Sequence, residues 1–296
     1  MSAMTQISLS SLLPERLHFL LPSWFRTQRP VVPVVRLSGP IGAVMPLRSG
    51  LAMSTMAPVL ERAFSIPNAK AVALVINSPG GSAAQSHLIF RRIRALAEER
   101  KLQVFAFVED AAASGGYMIA CAADEIFADP ASIVGSIGVV SASFGFDRLI
   151  ERFGIERRVY TAGENKAMLD PFQPEKPEDV ERLKRLQRHI HDVFVDLVKT
   201  RRGGKLDQTN GDLFSGAFWV GEEARGLGLI DGLGDIRTIL RARFGDKVQL
   251  RMVEPARPPL LARLLGRRVP GQSSLLDPAD ALGTLEERAA WARLGL

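Results

Sequence analysis

A chain of 296 residues, 46% hydrophobic and 24% charged, has the composition of a folded globular protein of one large domain or two small ones. Its single cysteine, Cys121, excludes an internal disulfide, suggests a reducing compartment and reads as a small buried hydrophobe. No run reaches the ~18 apolar residues of a membrane-spanning helix, and the opening residues lack the basic, apolar and small-residue order of a signal peptide, so a cytoplasmic chain is expected, with peripheral contact to the inner membrane left open.

Residues 1–30 mix Leu, Phe and Trp with Arg16, Arg26 and Arg29, an arm that reads equally as interfacial, disordered or docked on the core. From Val31 strands alternate with helices. VVPVVRL opens the pattern, AVALVINS (71–78) is a continuous apolar strand, residues 82–100 form an amphipathic helix, and QVFAFVED (103–110) is the next strand. A helix around 117–123 follows, then strands at EIFAD and IGVV. Apolar strands separated by single helices predict an α/β fold with a mostly parallel sheet flanked by helices on both faces. Residues 177–202 then form one long helix, with Pro177 and two acids at its start, basic residues and Gly203 at its end, and an apolar stripe that needs either the sheet or another chain. The regular pattern fades after residue 245. Between Arg241 and Arg268 eight basic residues face Asp246 and Glu254, which accounts for the whole net charge of +6. Such a tail is expected to be a solvated face or a subunit contact rather than a nucleic-acid site, and it closes with a short helix near 284–296.

Two glycine-rich turns end consecutive buried strands. One is Asn77-Ser78-Pro79-Gly80-Gly81-Ser82. The other is Ala113-Ser114-Gly115-Gly116, where small neighbours leave Ser114 room to meet another backbone. Neither matches a nucleotide-binding fingerprint. Side by side at the carboxyl edge of a parallel sheet, they would offer a serine nucleophile with the N–H groups of Gly81 and Gly115 as oxyanion donors, the outline of acyl-transfer chemistry. A base is not evident. His18 lies in the arm, His189 and His191 in the long helix, and His87 reads as a packing or surface residue. A desolvated lysine is the other choice.

The stretch AASGGYMIACAADEIFADPASIVGSIGV, with NSPGGS before it and NKAMLDPF after it, resembles the signal peptide peptidase A family of serine peptidases, also called protease IV. The resemblance runs from about Val31 to Phe244. It implies the spiral ββα fold of the Clp protease and crotonase superfamily, with a peptidase domain at 31–245, an arm at 1–30 and a tail at 246–296. It further implies that Ser114 is the nucleophile, Lys166 the general base, Ser136 the hydroxyl that orients the lysine, and Gly81 and Gly115 the oxyanion positions, with no metal or cofactor. Against many relatives, this sequence is expected to lack an N-terminal anchor, and it places Asn165 before the lysine. Members form homo-oligomers. Some carry two homologous halves that exchange serine and lysine, so a chain with one set of motifs is expected to build each site across a subunit boundary.

The expected function is therefore a serine endopeptidase with a Ser–Lys dyad that cuts unfolded or extended peptides such as signal peptide remnants. A hydratase or thioesterase of the crotonase branch is the alternative. It would share the oxyanion turn, require acidic residues at the site and not need Lys166.

Overall fold

The computed structural model describes residues 29–42, 50–254 and 288–296. Expectations for residues 1–28 and for 255–287 fall outside the described residues.

The fold is organised around β2 (Ala71–Ser78), whose side chains are buried at every position but Asn77. A strand without a polar face needs a neighbour on each edge and cover on each side. β1 (Val31–Ser38) and β3 (Gln103–Ala113) supply the edges, both parallel to it. Among the described residues the sheet has eight strands, and its main path runs β6 (Phe218–Val220), β5 (Ile133–Gly135), β3, β2, β1, β8 (Gln249–Met252). Only β6 runs antiparallel. β4 (Glu125–Ala128) pairs with β3 and carries the short β7 (Gly232–Leu233).

Two apolar layers cover the sheet. On one face α1 (Met53–Phe64), α2 (Ala83–Arg100), α3 (Gly115–Ala120) and part of α5 (Pro177–Arg202) bury Leu60, Phe64, Ile89, Ile93, Tyr117 and Phe194. On the other, α7 (Ile236–Phe244) packs Leu240 against Phe105, Phe107 and Phe127. This is the mostly parallel, helix-flanked α/β sheet that the strand pattern predicts.

β3 changes partner part-way along. Phe105–Val108 pair with β4, whereas Ala111–Ala113 pair with β5. Between them Glu109 and Asp110 bulge: Ile76 faces Val108 but Ser78 faces Ala112, so a two-residue step on β2 meets a four-residue step on β3. Asn77 pins the bulge, donating from Nδ2 to Asp110 Oδ2 at 2.6 Å and accepting the Ala111 N–H at 3.3 Å. The bulge thus carries the end of β3 away from β4 and toward β5, immediately before Ser114.

α5 has acids in its first turn and Lys199, Arg201 and Arg202 in its last, each sign at the end the helix dipole favours. Its buried residues, Phe194, Leu197, Val198 and Arg202, all lie in the carboxyl-terminal part, while Leu186, Ile190 and Val193 of the same apolar stripe are exposed in the single chain. The Arg202 side chain, only 2% exposed, donates to Asp231 Oδ2 at 2.6 Å and to the Gly228 carbonyl at 2.8 Å. Asp231 also accepts the Ile126 N–H at 2.7 Å and a bond from Lys205, tying α5 to β4. Burial opposes the charge of Asp231, yet the bonds from Arg202, Lys205 and Ile126 outweigh it and hold the carboxyl below its usual range.

Several elements differ from the sequence expectation. The strand expected at IGVV (137–140) lies at 133–135, because the bulge brings Ala111–Ala113 opposite those residues, and 137–140 have no regular structure. α1, which carries Pro58, and α4 (Asp147–Arg152) are not anticipated. The sheet also continues past residue 245, since β8 adds to the edge of β1. No helix among the described residues is long and apolar enough to cross a membrane.

Candidate active site

The two glycine turns touch. A Cβ on Gly80 would lie 2.8 Å from the Ser114 Cβ, one on Gly116 would lie 2.7 Å from the Ser78 carbonyl oxygen, and one on Gly115 would lie 2.3 Å from Ser86 Oγ. Real side chains cannot approach so closely, so the glycines let the ends of β2 and β3 meet backbone to backbone.

Ser114 sits at the junction between β3 and α3 with φ 50° and ψ −120°, a conformation an L-residue rarely holds. Its N–H donates to the Gly135 carbonyl at 2.8 Å, and its carbonyl accepts the Met118 N–H at 3.0 Å. Both backbone groups are thereby anchored, which leaves the hydroxyl as the part free to act. Gly115, the first residue of α3, belongs to the turn whose N–H groups have no partner inside the helix. Gly81 faces the same place for a different reason. The chain after β1 bridges to it through Ile41, whose N–H donates to the Gly80 carbonyl at 2.8 Å and whose carbonyl accepts the Ser82 N–H at 2.9 Å. Since successive backbone groups of an extended segment point to opposite sides, the N–H of Gly81 is directed away from Ile41.

Ser136 follows Gly135, has φ 53° and donates its N–H to the Ala217 carbonyl at 2.7 Å. It, Ser114, Gly81 and Gly115 all line one cavity of about 710 Å³, within the range of a ligand cleft. Met118, Val139, Ile190 and Phe194 give that cavity an apolar side, and none of the described residues lining it is acidic.

The profile of peptidase family S49 matches residues 97–249, just over half of the chain and the span that holds Ser114, Ser136 and Lys166. The chain belongs to peptidase family S49. It is 55% identical over 308 residues to the Na(+)/H(+) antiporter NhaA of Brucella abortus, an alignment covering 100% of this chain and 41% of that protein. It is 32% identical over 240 residues to the chloroplastic serine protease SPPA of Arabidopsis thaliana, covering 78% of this chain and 35% of that protein. The chain thus spans less than half the length of these curated relatives. Among solved structures, a mutant of the 1510-N membrane-bound stomatin-specific protease superposes with a TM-score of 0.47 at 18% identity, covering 77% of this chain and 100% of that one.

Of the five candidate residues expected from the sequence resemblance, Lys166 stands apart. It is exposed, does not line the cavity and makes a backbone bond to the Gly163 carbonyl at 3.2 Å. The Asp170-Pro171-Phe172 end of its motif is clipped to Arg157 and Phe146 earlier in the same segment. Asp170 accepts from Arg157 Nε at 2.8 Å and from the Phe172 N–H at 3.1 Å, and these bonds, that from Arg157 foremost, hold its carboxyl below the usual range. The Arg157 guanidinium lies 4.9 Å from the Phe172 ring centre, and that ring packs on Phe146. The surrounding segment displays apolar side chains to solvent in the single chain, with Tyr160 90% and Phe144 78% exposed.

His87 stacks on Phe90 and takes no part in the cavity. Cys121 is fully buried, and burial pushes its thiol up to about 12, so it has no nucleophilic role. The sequence did not point to Asn77, which fixes the bulge, to Ala217, which receives the Ser136 N–H, or to Ala290, Arg293 and Leu294, which line the cavity from the far end of the chain. Asn77 had a local signal, as an amide at the end of an otherwise apolar strand. The other two sites had none.

Proposed function

We propose that this chain is a serine endopeptidase that cleaves unfolded or extended peptides such as signal peptide remnants, using Ser114 as nucleophile and Lys166 as general base. The observation that carries this reading is Ser114 itself, held at φ 50° beside two glycine turns on the wall of a cavity with one apolar side. Lys166, neutral, takes the Ser114 Oγ proton while Oγ attacks the peptide carbonyl. The N–H groups of Gly81 and Gly115 receive the resulting oxyanion. The lysine then delivers its proton to the leaving amine, and water, activated by the same lysine, hydrolyses the acyl-enzyme. Ser136 holds the lysine amine in line.

Lys166 is assigned to the site of a neighbouring copy, in a homo-oligomer whose sites lie at subunit boundaries. Its position away from its own chain's cavity supports this, as does the exposed apolar surface of residues 140–160 and of α5. The hydratase or thioesterase reading gains no support from the described residues, none of which brings an acidic group to the cavity lining.

The test is product profiling on an unfolded polypeptide library with wild type beside Ser114→Ala. New amino termini should arise with the wild type alone. Equal cleavage by both would remove Ser114 from the mechanism.

A further inference from the structure

The far end of the described chain returns to the cavity. Residues 288–292 form a helical turn, and the next four close it with a defined cap: the Gly295 N–H bonds the Ala292 carbonyl at 3.1 Å, the Leu296 N–H bonds the Trp291 carbonyl at 3.2 Å, and Gly295 has φ 77°. This is a Schellman termination, so the segment is a formed unit with its own backbone bonds.

It is also seated. Leu294, 8% exposed, forms an apolar cluster with Ala111 and Ala113, and Trp291 and Ile133 pack around it. Ala113 is the residue before Ser114, and Ala290, Arg293 and Leu294 line the same cavity as Ser114 and Ser136. Alanines at two same-face positions of β3 leave a shallow recess, and two large side chains three residues apart on a helical turn fill it.

We propose that residues 288–296 are an intramolecular plug, which occupies the apolar end of the cleft beside Ser114 and is displaced when an extended peptide binds. The plug resists being cut because its backbone groups are paired within its own turn. A peptidase cleft takes substrate as an extended strand, so a capped helical turn fills the space without presenting a scissile bond. What the plug restrains rests on the peptidase reading above, whereas its seat rests on the packing alone.

Two readouts keep these apart. The first is the rate at which a fluorophosphonate labels Ser114 in the full chain, in the Trp291→Ala/Leu294→Ala double variant and in a chain lacking 288–296. Both altered forms should label roughly tenfold faster, equivalent to about 1.4 kcal/mol of lost competition. Excess free nonapeptide of the 288–296 sequence should slow them again. The second is fluorescence anisotropy of the tagged nonapeptide with the shortened chain carrying Ser114→Ala. A tethered segment has an effective concentration of about millimolar, so a plug that is mostly closed requires saturable binding tighter than that. Faster labelling together with such binding supports the plug. Labelling that is unchanged or slower in both altered forms overturns it and makes the segment a wall of the substrate site. If no form is labelled, the nucleophile assignment has failed and anisotropy alone decides the plug: saturable binding upholds it, and none up to millimolar peptide overturns it.

Discussion

The backbone N–H of Ser114 donates to the carbonyl of Gly135 at 2.8 Å, and this bond fixes where Ser136, the next residue, stands relative to the hydroxyl of Ser114. The two serines come from the ends of β3 and β5, which pair only because the Glu109–Asp110 bulge redirects β3. Ser136 is then held from its other side by the carbonyl of Ala217.

On the proposed mechanism, the Ser136 hydroxyl, carried on a backbone fixed this way, orients the lysine and does not itself react. Ser136→Ala should lower the peptidase rate about ten- to hundredfold, as for other groups that orient a reacting partner, with an unchanged thermal midpoint. Gly135→Ala should cost both activity and stability, because its Cβ would stand 2.9 Å from the Trp219 ring at φ 110°. Steady-state kinetics beside thermal melts separate the two effects. A fully active Ser136→Ala would mean the hydroxyl has no part in the reaction.

Lys166 should tolerate no substitute. Lys166→Arg should be as inactive as Lys166→Ala, since a guanidinium stays charged and cannot accept the serine proton. Mixing refolded Ser114→Ala and Lys166→Ala chains should restore part of the activity, because some boundaries would join an intact serine to an intact lysine. Mixed oligomers that form and stay silent would place both groups within one chain.

The clip on the lysine loop is open to a double-mutant cycle. Arg157→Ala and Asp170→Asn should each reduce kcat/KM severalfold, and the double variant should be little worse than either, since both remove one interaction. Fully additive losses would show that the pair does not hold the loop.

Much of this architecture was legible in the sequence, and the parts that were not share a physical cause. β2, α2 and α5 could be read nearly to their ends because an unbroken apolar run, a helical period and a Pro177 start are local signals. β5 was misplaced because residues 133–140 are apolar almost throughout, and only pairing with Ala111–Ala113 decides which of them form the strand. The seat of Leu294 is a pair of alanines far away in the chain, so nothing near Leu294 announces it. Ser114 gained meaning from its glycines. Lys166 gained it from motif resemblance alone, because an exposed lysine in an irregular loop has no distinguishing local chemistry.

Acid stability should report on Asp231. Its carboxyl lies below the usual range in the folded chain, so the stabilisation is present above the unfolded value of about 3.9 and is lost as pH falls through the depressed one. Urea unfolding of the wild type should show stability declining below about pH 4, and Asp231→Asn should flatten that decline. At neutral pH, Asp231→Ala should cost about 3–5 kcal/mol, because it strands the buried Arg202 charge. A neutral-pH loss within experimental error would show that Arg202 finds another partner.

Whether Ser114 is the nucleophile is decided most directly by mass spectrometry of the intact protein after fluorophosphonate treatment, with the adduct mapped by digestion and peptide hydrolysis followed in parallel. The adduct should map to Ser114, be absent from Ser114→Ala, and rise as hydrolysis falls. An adduct on another residue, or hydrolysis that persists while Ser114 is fully modified, would contradict the assignment.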